Sequence, residues 1–177
     1  SLVNLYYNTD ENVTYTYTNW AGNTVTTSKK EFYLNFFTNF VSDYVNDNGE
    51  FLTVKSGSGP TSSTTSSTTL DFICESKILY DAYILTGEEK YIKAIENSKK
   101  ILDKINKVNG SEITIDGVQY YNYSHQNGNG CSNEIWLDGM YMYAPFLTRY
   151  LKATNAESSD YQQLLAQYSF ILQKMRD

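Results

Sequence analysis

The sequence has few of the residues that build metal centres and disulfide scaffolds. Its 177 residues include one histidine, two cysteines and two prolines. Cys74 and Cys131 allow one disulfide at most and do not form a Cys-x-x-Cys motif, so no zinc site is indicated. The lone His125 cannot build a histidine-rich metal site. We therefore expect no metal and no cofactor.

Positive charge is also scarce, and long apolar runs are missing. The 14 Lys and Arg residues are outnumbered by 20 Asp and Glu residues, which gives a net charge of −6 spread along the chain. Sequence-independent binding of nucleic acid depends on basic patches, so we expect no nucleic-acid partner. A membrane-spanning helix needs about 20 mostly apolar residues, and no segment supplies them. We expect no membrane association either.

Tyrosine, by contrast, is abundant. The chain has 17 tyrosines, and aromatic residues make up 15% of it. A tyrosine ring offers an apolar face and a hydroxyl group, which suits the apolar C–H face and polar rim of a sugar. Tyrosines also fill half-buried positions of helices, and composition alone favours that structural role. Carbohydrate binding is one of the two interpretations that composition leaves open.

The spacing of apolar residues predicts an all-α domain of about five helices after an irregular or extended start. Residues 1–28 alternate Thr, Asn and Tyr without a helical period. Ser28 and Glu31 form a capping-box pattern, after which apolar residues recur at helical spacing. We therefore expect a segment 1–28 and a helical domain 29–177. The predicted helices cover residues 29–46, 70–85, 88–105, 135–153 and 158–175, with a Ser-, Thr- and Gly-rich loop at 55–69.

Two helical hairpins repeat one pattern along the chain. The first turns at Thr-Gly, residues 86–87, and the second at Thr-Asn, residues 154–155, each followed by a short acidic stretch and a tyrosine. Repeated helix pairs build an α-solenoid or an α/α toroid, in which each pair buries its apolar face against its neighbours. We expect residues 70–105 and 135–175 to form two hairpins stacked side by side, without a strand in either.

The start of the fourth predicted helix has the most chemical content. Asp138 lies in a first turn whose other residues are mostly aromatic and apolar. A carboxylate there can simply complement the positive end of the helix dipole, which contributes about 0.3–1 kcal/mol. It can also act as a general acid, because a positioned carboxyl group donates protons in catalysis. We expect Trp136, Met140 and Tyr141 to contact a bound substrate.

This segment resembles the signature of a known family. Trp-Leu-Asp-Gly-Met-Tyr-Met at residues 136–142 is similar to the motif of the unsaturated rhamnogalacturonyl hydrolases. These enzymes form glycoside hydrolase family 105, which is related to the unsaturated glucuronyl hydrolases of family 88. The resemblance covers roughly residues 29–177. Further matches follow the family's order: Asp-Asn-Gly at 47–49, Leu-Asp at 70–71, Leu-Thr-Gly-Glu-Glu-Lys-Tyr at 85–91 and His125.

The resemblance implies an (α/α)6 toroid that removes a Δ4,5-unsaturated uronic acid from an oligosaccharide end. In the implied reaction a carboxylic acid protonates C4 of the vinyl ether, water adds at C5, and the hemiketal opens to release the next sugar. Asp138 matches the family's general acid/base and Asp71 its second carboxylate, which positions substrate or water. His125 matches the active-site histidine by its order in the chain. We expect Asp71 and Asp138 to lie within one substrate's width.

Two functions stay open at this stage. The chain ends at Asp177, where the family pattern leads us to expect further hairpins, so about half a toroid is expected. Open ends of such a half expose apolar helix faces, through which we expect self-association. The chain is either an enzyme acting on an oligosaccharide substrate or a non-catalytic, truncated relative that binds acidic carbohydrate or a protein partner. The presence of both Asp71 and Asp138 favours the enzyme.

Overall fold

Helices form most of the regular structure in a computed structural model that describes residues 2–19, 21–54, 60–62, 68–128 and 130–174. Within these residues, no helix has the length and apolar character that crossing a membrane requires. The helices are Leu2–Asn8 (α1), Lys29–Ser42 (α2), Leu70–Ser76 (α3), Leu79–Thr86 (α4), Glu89–Lys104 (α5), Gly139–Ala153 (α6) and Gln162–Lys174 (α7), with a 3-10 helix at Ser158–Tyr161.

The strands lie between the helices as short antiparallel pairs. None of the described residues within 70–105 or 135–174 belongs to a strand, so the prediction of two helical hairpins without a strand is confirmed for this part of the chain. Of the predicted loop 55–69, residues 55–59 and 63–67 lie outside the described residues. The pairs are Thr14–Thr18 (β1) with Thr24–Ser28 (β2), Leu52–Val54 (β3) with Pro60–Ser62 (β4), and Ile113–Ile115 (β5) with Val118–Tyr120 (β6).

Both helical hairpins turn at the positions that the sequence pattern predicted. Gly87 follows α4 with a φ of 70°, and its N–H donates to the Tyr83 carbonyl. Asn155 follows α6 with a φ of 50°. Glycine and asparagine tolerate this left-handed conformation, which ends a helix and reverses the chain. The two reversals confirm the predicted positions of the hairpin turns.

The first predicted helix of the hairpins is broken into α3 and α4. The break falls at Lys77 and Ile78, which the pattern placed inside one helix over residues 70–85. The Lys77 carbonyl accepts a hydrogen bond of 3.0 Å from Arg149 Nη1 of α6. Arg149 also lies 3.0 Å from Asp81 Oδ2 of α4. The backbone carbonyl at the break is thus hydrogen-bonded by a residue from a distant part of the chain. Local periodicity cannot reveal such a contact.

The N-terminal segment is more regular than predicted. Residues 14–18 and 24–28 are extended, as expected, but Leu2–Asn8 forms a helix that packs against α2. Tyr15 and Tyr17 share one face of β1, and their ring centroids lie 4.8 and 4.9 Å from that of Phe32 in α2. The Ser28 hydroxyl accepts a hydrogen bond from the Glu31 N–H, which confirms the predicted N-cap of α2. The domain boundary at residue 28 stays a prediction.

The core lies where α3 and α5 pack against α6 and where α4 packs against α5. The helices α3 and α6 begin side by side. Gly139 and Leu70 lie so close that a Cβ atom added to Gly139 would be 3.0 Å from Leu70 Cδ1. This close approach positions the residues that follow Leu70 and precede Gly139. The largest fully buried apolar side chains are Tyr91, Tyr143, Phe146, Leu70, Ile73, Leu79 and Leu102.

Apolar side chains also stay exposed on α4 and α7. Ile84 of α4 and Leu165 and Leu172 of α7 each expose more than half of their surface. Exposed apolar residues in groups are a common feature of association surfaces. Self-association of the chain stays a prediction.

Candidate active site

Backbone pairing brings His125 beside Asp71. The Leu70 N–H donates a hydrogen bond of 2.9 Å to the His125 carbonyl, and the Asn127 N–H donates one of 2.9 Å to the Thr68 carbonyl. The segment around His125 therefore runs along the residues that lead into α3. As a result, His125 Nε2 lies 3.5 Å from Asp71 Oδ2, in the first turn of that helix.

A second segment pairs with the other edge of the chain that carries His125. The Ser124 N–H donates to the Asn106 carbonyl at 2.9 Å, and the Val108 N–H donates to the Asn122 carbonyl at 2.8 Å. The His125 segment is thus held between the chain after α5 and the chain before α3. Hydrogen bonds on both edges keep an irregular segment in a defined position. The histidine is therefore a fixed part of the site.

Trp136 covers the imidazole of His125. The two rings are stacked, with centroids 3.9 Å apart and planes 6° from parallel. Glu134 fixes both partners, because its carbonyl accepts from the His125 N–H at 2.9 Å and its Oε2 accepts from Trp136 Nε1 at 2.8 Å. His125 is 5% exposed, whereas Trp136 is 42% exposed. The indole therefore offers an open surface on which a sugar can stack.

Asp138 lies at the N-cap of α6, two residues after Trp136. Its side chain makes no cap hydrogen bond, and the residue is exposed. Since Gly139 contacts Leu70, the helix ends that carry Asp138 and Asp71 adjoin. The start of α6 differs from the predicted residue 135 because the Glu134 carbonyl bonds to His125 rather than within a helix. The predicted separation of the two carboxylates, one substrate's width, stays a prediction.

The other predicted substrate contacts divide between the surface and the core. Tyr141 is 64% exposed and lies one helical turn after Asp138. Met140 is 8% exposed and belongs to the hydrophobic core, and its contact with substrate stays a prediction. Residues two positions apart face different sides of a helix, which explains why Met140 is buried while Asp138 is exposed. Tyr143 is also buried and packs against Tyr123.

Two residues near the site were missed by sequence reasoning. Glu134 holds the indole and the histidine backbone, and its position two residues before Trp136 was the available signal. Lys77 places its ammonium 3.9 Å from the centroid of the Tyr141 ring. No local pattern pointed to it, because six residues from Asp71 is not a spacing that brings two side chains to one helix face.

Thiols and metal-ligand groups add little to this site. The one disulfide that the sequence allows, between Cys74 and Cys131, is not formed. In the described part of the chain, no three side chains of the His, Cys, Asp and Glu types are grouped to hold a metal ion. The chemistry that the described residues offer is that of carboxylates, an imidazole and aromatic rings.

Lys107 gives the segment that holds His125 a pH-dependent stability. Its ammonium lies 2.9 Å from the centroid of the Tyr123 ring, where burial lowers its pKa from 10.5 to about 7. Between these two values the unfolded chain binds the proton and the folded chain does not, so stability rises with pH through this window. We expect Lys107→Met to reduce this rise, as measured by urea unfolding near pH 7 and pH 9.5.

The size of the Lys107 effect is limited by solvent. The residue as a whole is exposed although its ammonium is covered, so we expect a difference of about 1 kcal/mol or less between the two proteins. The exposed stem lets the ammonium reach water, which keeps the effect small. Parallel pH profiles for the wild-type chain and Lys107→Met would contradict this account.

The arrangement defines a class of protein. Paired carboxylates supply the acid and base of glycoside hydrolysis, and exposed aromatic rings stack against sugars. Such groups at adjoining helix starts of a mostly helical fold are typical of glycoside hydrolases. The chain belongs to Glycosyl Hydrolase Family 88, whose sequence model matches residues 10–177. The family resemblance of the Trp136 segment is thereby confirmed.

A solved structure supports the same assignment. The chain is similar to a family 105 glycoside hydrolase of C. acetobutylicum ATCC 824, with a TM-score of 0.65 and 25% sequence identity. The match covers 84% of this chain and 35% of that one. The chain therefore spans about a third of the length of this relative, and the match agrees with a partial toroid.

Proposed function

We propose that the chain carries the catalytic carboxylates of an enzyme that removes Δ4,5-unsaturated uronic acid from the ends of rhamnogalacturonan-type oligosaccharides. The observation that carries the proposal is the meeting of two helix starts. One start holds Asp71, with His125 Nε2 3.5 Å from its carboxylate, and the other holds Trp136 and Asp138. An acid, a second carboxylate and an aromatic surface on one sugar are what vinyl-ether hydration needs.

In the proposed reaction Asp138 is the general acid. Its carboxyl proton passes to C4, and the positive charge is shared by C5 and the ring oxygen. Water adds its oxygen to C5 and returns a proton to the Asp138 carboxylate, which restores the acid. The hemiketal at C5 then opens by breaking the bond from C5 to the ring oxygen, which leaves a ketone at C5 and a hemiacetal at C1. The hemiacetal collapses to an aldehyde, and the next sugar leaves as a free alcohol. General acid catalysis of this kind contributes about 100- to 10,000-fold to a rate.

The remaining side chains act by positioning. Asp71 accepts hydrogen bonds from the sugar or from the attacking water, and His125 orients the Asp71 carboxylate from 3.5 Å. His125 is itself fixed by its backbone hydrogen bonds and by the stacked indole of Trp136. The open surface of Trp136 supports the apolar face of the sugar ring. Holding the reacting groups in place lowers the entropic part of the barrier.

A second candidate function follows from the length of the match. The chain corresponds to 35% of the family 105 relative, so groups that surround the substrate in a whole toroid can lie outside it. A module that binds acidic carbohydrate without hydrolysing it would retain the Trp136 surface and the carboxylates as contacts. This candidate predicts binding of the oligosaccharide without turnover.

The test uses oligosaccharides that a polysaccharide lyase has produced, because these carry the ultraviolet-absorbing double bond. We expect the chain to abolish that absorbance and to shorten each oligosaccharide by one unit. Oligosaccharides of the same composition with saturated ends are the matched control and should stay intact. Unchanged absorbance with measurable binding would favour the binding module, and unchanged absorbance without binding would contradict both candidates.

A further inference from the structure

A second level of side chains lies one helical turn beyond the two carboxylates. Residues three apart share a helix face, so Cys74 follows Asp71 on α3 and Tyr141 follows Asp138 on α6. Three residues advance a helix by about 4.5 Å. Because α3 and α6 begin side by side, this second level continues the same surface along both helices.

Lys77 brings a positive charge to this level. Its Nζ lies 3.5 Å from Cys74 Sγ of α3 and 3.9 Å from the centroid of the Tyr141 ring of α6. Long side chains of a helix lean toward its N-terminus, which is the direction of the carboxylates. The contacts on both helices thus hold the ammonium between α3 and α6, about one turn from Asp71.

The Lys77 ammonium has no acidic partner in the described part of the chain, whose ion pairs use other cations. Burial lowers the pKa of Lys77, but contacts with Tyr141 and Cys74 raise it, and the net shift is upward. The amine is therefore charged at neutral pH. Arg149, a second cation at the helix break, already pairs with Asp81 at 3.0 Å.

An acidic sugar chain needs such a charge. The two carboxylates of the site and a net charge of −6 for the whole chain repel an anion that approaches. An ammonium one helical turn away offsets this repulsion and forms a charge-assisted hydrogen bond with a carboxylate. Its position over an aromatic ring fixes it before the ligand arrives, which reduces the entropy lost on binding.

We propose that Lys77, held over the ring of Tyr141, binds the carboxylate of an acidic sugar at the surface that carries Asp71 and Asp138. This inference rests on the proposed function for the position of the sugar, and it adds a residue that selects acidic over neutral ligands. Lys77 makes no contact with the reacting atoms in this account. Its loss therefore weakens binding and leaves the chemical step unchanged.

Calorimetric titration of the full chain with two ligands tests the proposal. One is a digalacturonate with saturated ends, and the other is the same disaccharide with both carboxylates reduced to alcohols. Neither carries the reacting double bond, so neither is consumed. We expect Lys77→Met to weaken binding of the acid about 10- to 100-fold and to leave the neutral ligand unchanged. Lys77→Arg should keep most of the affinity.

Two controls keep the test decisive. Lys100→Met replaces an exposed lysine of α5 and should bind both ligands as the wild-type chain does. High salt should weaken binding of the acid to the wild-type chain and to Lys77→Arg, a result that does not depend on the folding of Lys77→Met. Equal affinity of the wild-type chain for both ligands, or no binding of either, would overturn the proposal, as would unchanged acid binding by Lys77→Met.

The role of Lys77 and the proposed hydration can fail independently. If Lys77→Met loses the acid ligand while the wild-type chain leaves unsaturated oligosaccharides intact, the proposed hydration fails and the role of Lys77 stands. If the wild-type chain consumes these oligosaccharides and Lys77→Met does so with an unchanged KM, the role of Lys77 fails and the hydration stands.

Discussion

Asp138→Asn should lower the rate of consumption of unsaturated oligosaccharides by about 100- to 10,000-fold, with a much smaller effect on their binding. The amide keeps the shape of the carboxyl group but cannot donate the proton that C4 receives in the proposed reaction. The start of α6 should be preserved, because Asp138 makes no side-chain cap and its carbonyl still accepts from the Met142 N–H. The loss of ultraviolet absorbance gives both kcat and KM.

A matched exchange elsewhere separates chemistry from a general effect of losing one carboxylate. Asp116→Asn lies in the turn between β5 and β6, where the residue has a φ of 51° that asparagine also adopts. It should leave the rate unchanged. Asp71→Asn should lower the rate and also raise KM, since this carboxylate contacts substrate or water in the proposal. Wild-type turnover by Asp138→Asn would remove its role as general acid.

Gly49→Ala should lower the free energy of unfolding by about 2–4 kcal/mol, the largest effect on stability that we expect. Gly49 has a φ of 72°, and a Cβ atom there would lie 2.5 Å from Lys93 Cβ and 2.6 Å from the Ala94 nitrogen of α5. The helix backbone cannot move away without disturbing the core. The turn is further tied to α5 by a hydrogen bond of 2.9 Å from Asn97 Nδ2 to the Gly49 carbonyl. Urea unfolding measures the change.

Gly87→Ala is the matched control for this effect. Gly87 also has a positive φ, of 70°, but nothing lies within 4 Å of the Cβ position. It should therefore cost only the backbone strain of the left-handed conformation, about 1 kcal/mol. Equal losses for the two variants would contradict the close approach of the Asp-Asn-Gly turn to α5.

The hairpins could be predicted because their signals are local. A residue that tolerates a positive φ ends α4 and α6, and Gly87 and Asn155 stand at those positions. The division of residues 70–85 could not be predicted, because Arg149 bonds to the Lys77 carbonyl from 72 residues further along the chain. The helix Leu2–Asn8 was missed because seven residues are too few to establish a helical period.

The sequence was enough to predict which residues belong to the site, but not how they are arranged in space. The Trp136 segment, with Asp138, carried its own signature, and order along the chain linked it to Asp71 and His125. The stacking of His125 on Trp136 depends on backbone pairing between segments that lie far apart in sequence. No local pattern encodes such pairing. The burial of Met140 follows from how α6 turns toward the core, which is likewise a tertiary property.

The most direct measurement of the central claim is the position of solvent hydrogen in the product. We would incubate the chain with an unsaturated oligosaccharide in deuterated water and examine early product by NMR. Protonation by Asp138 from one side predicts one deuterium on C4 in a single stereochemical configuration. Product with no deuterium on C4 would contradict the account, because C4 would then not have been protonated. Equal amounts of both configurations would also contradict it, because ordinary hydrolysis followed by spontaneous rearrangement would then explain the cleavage.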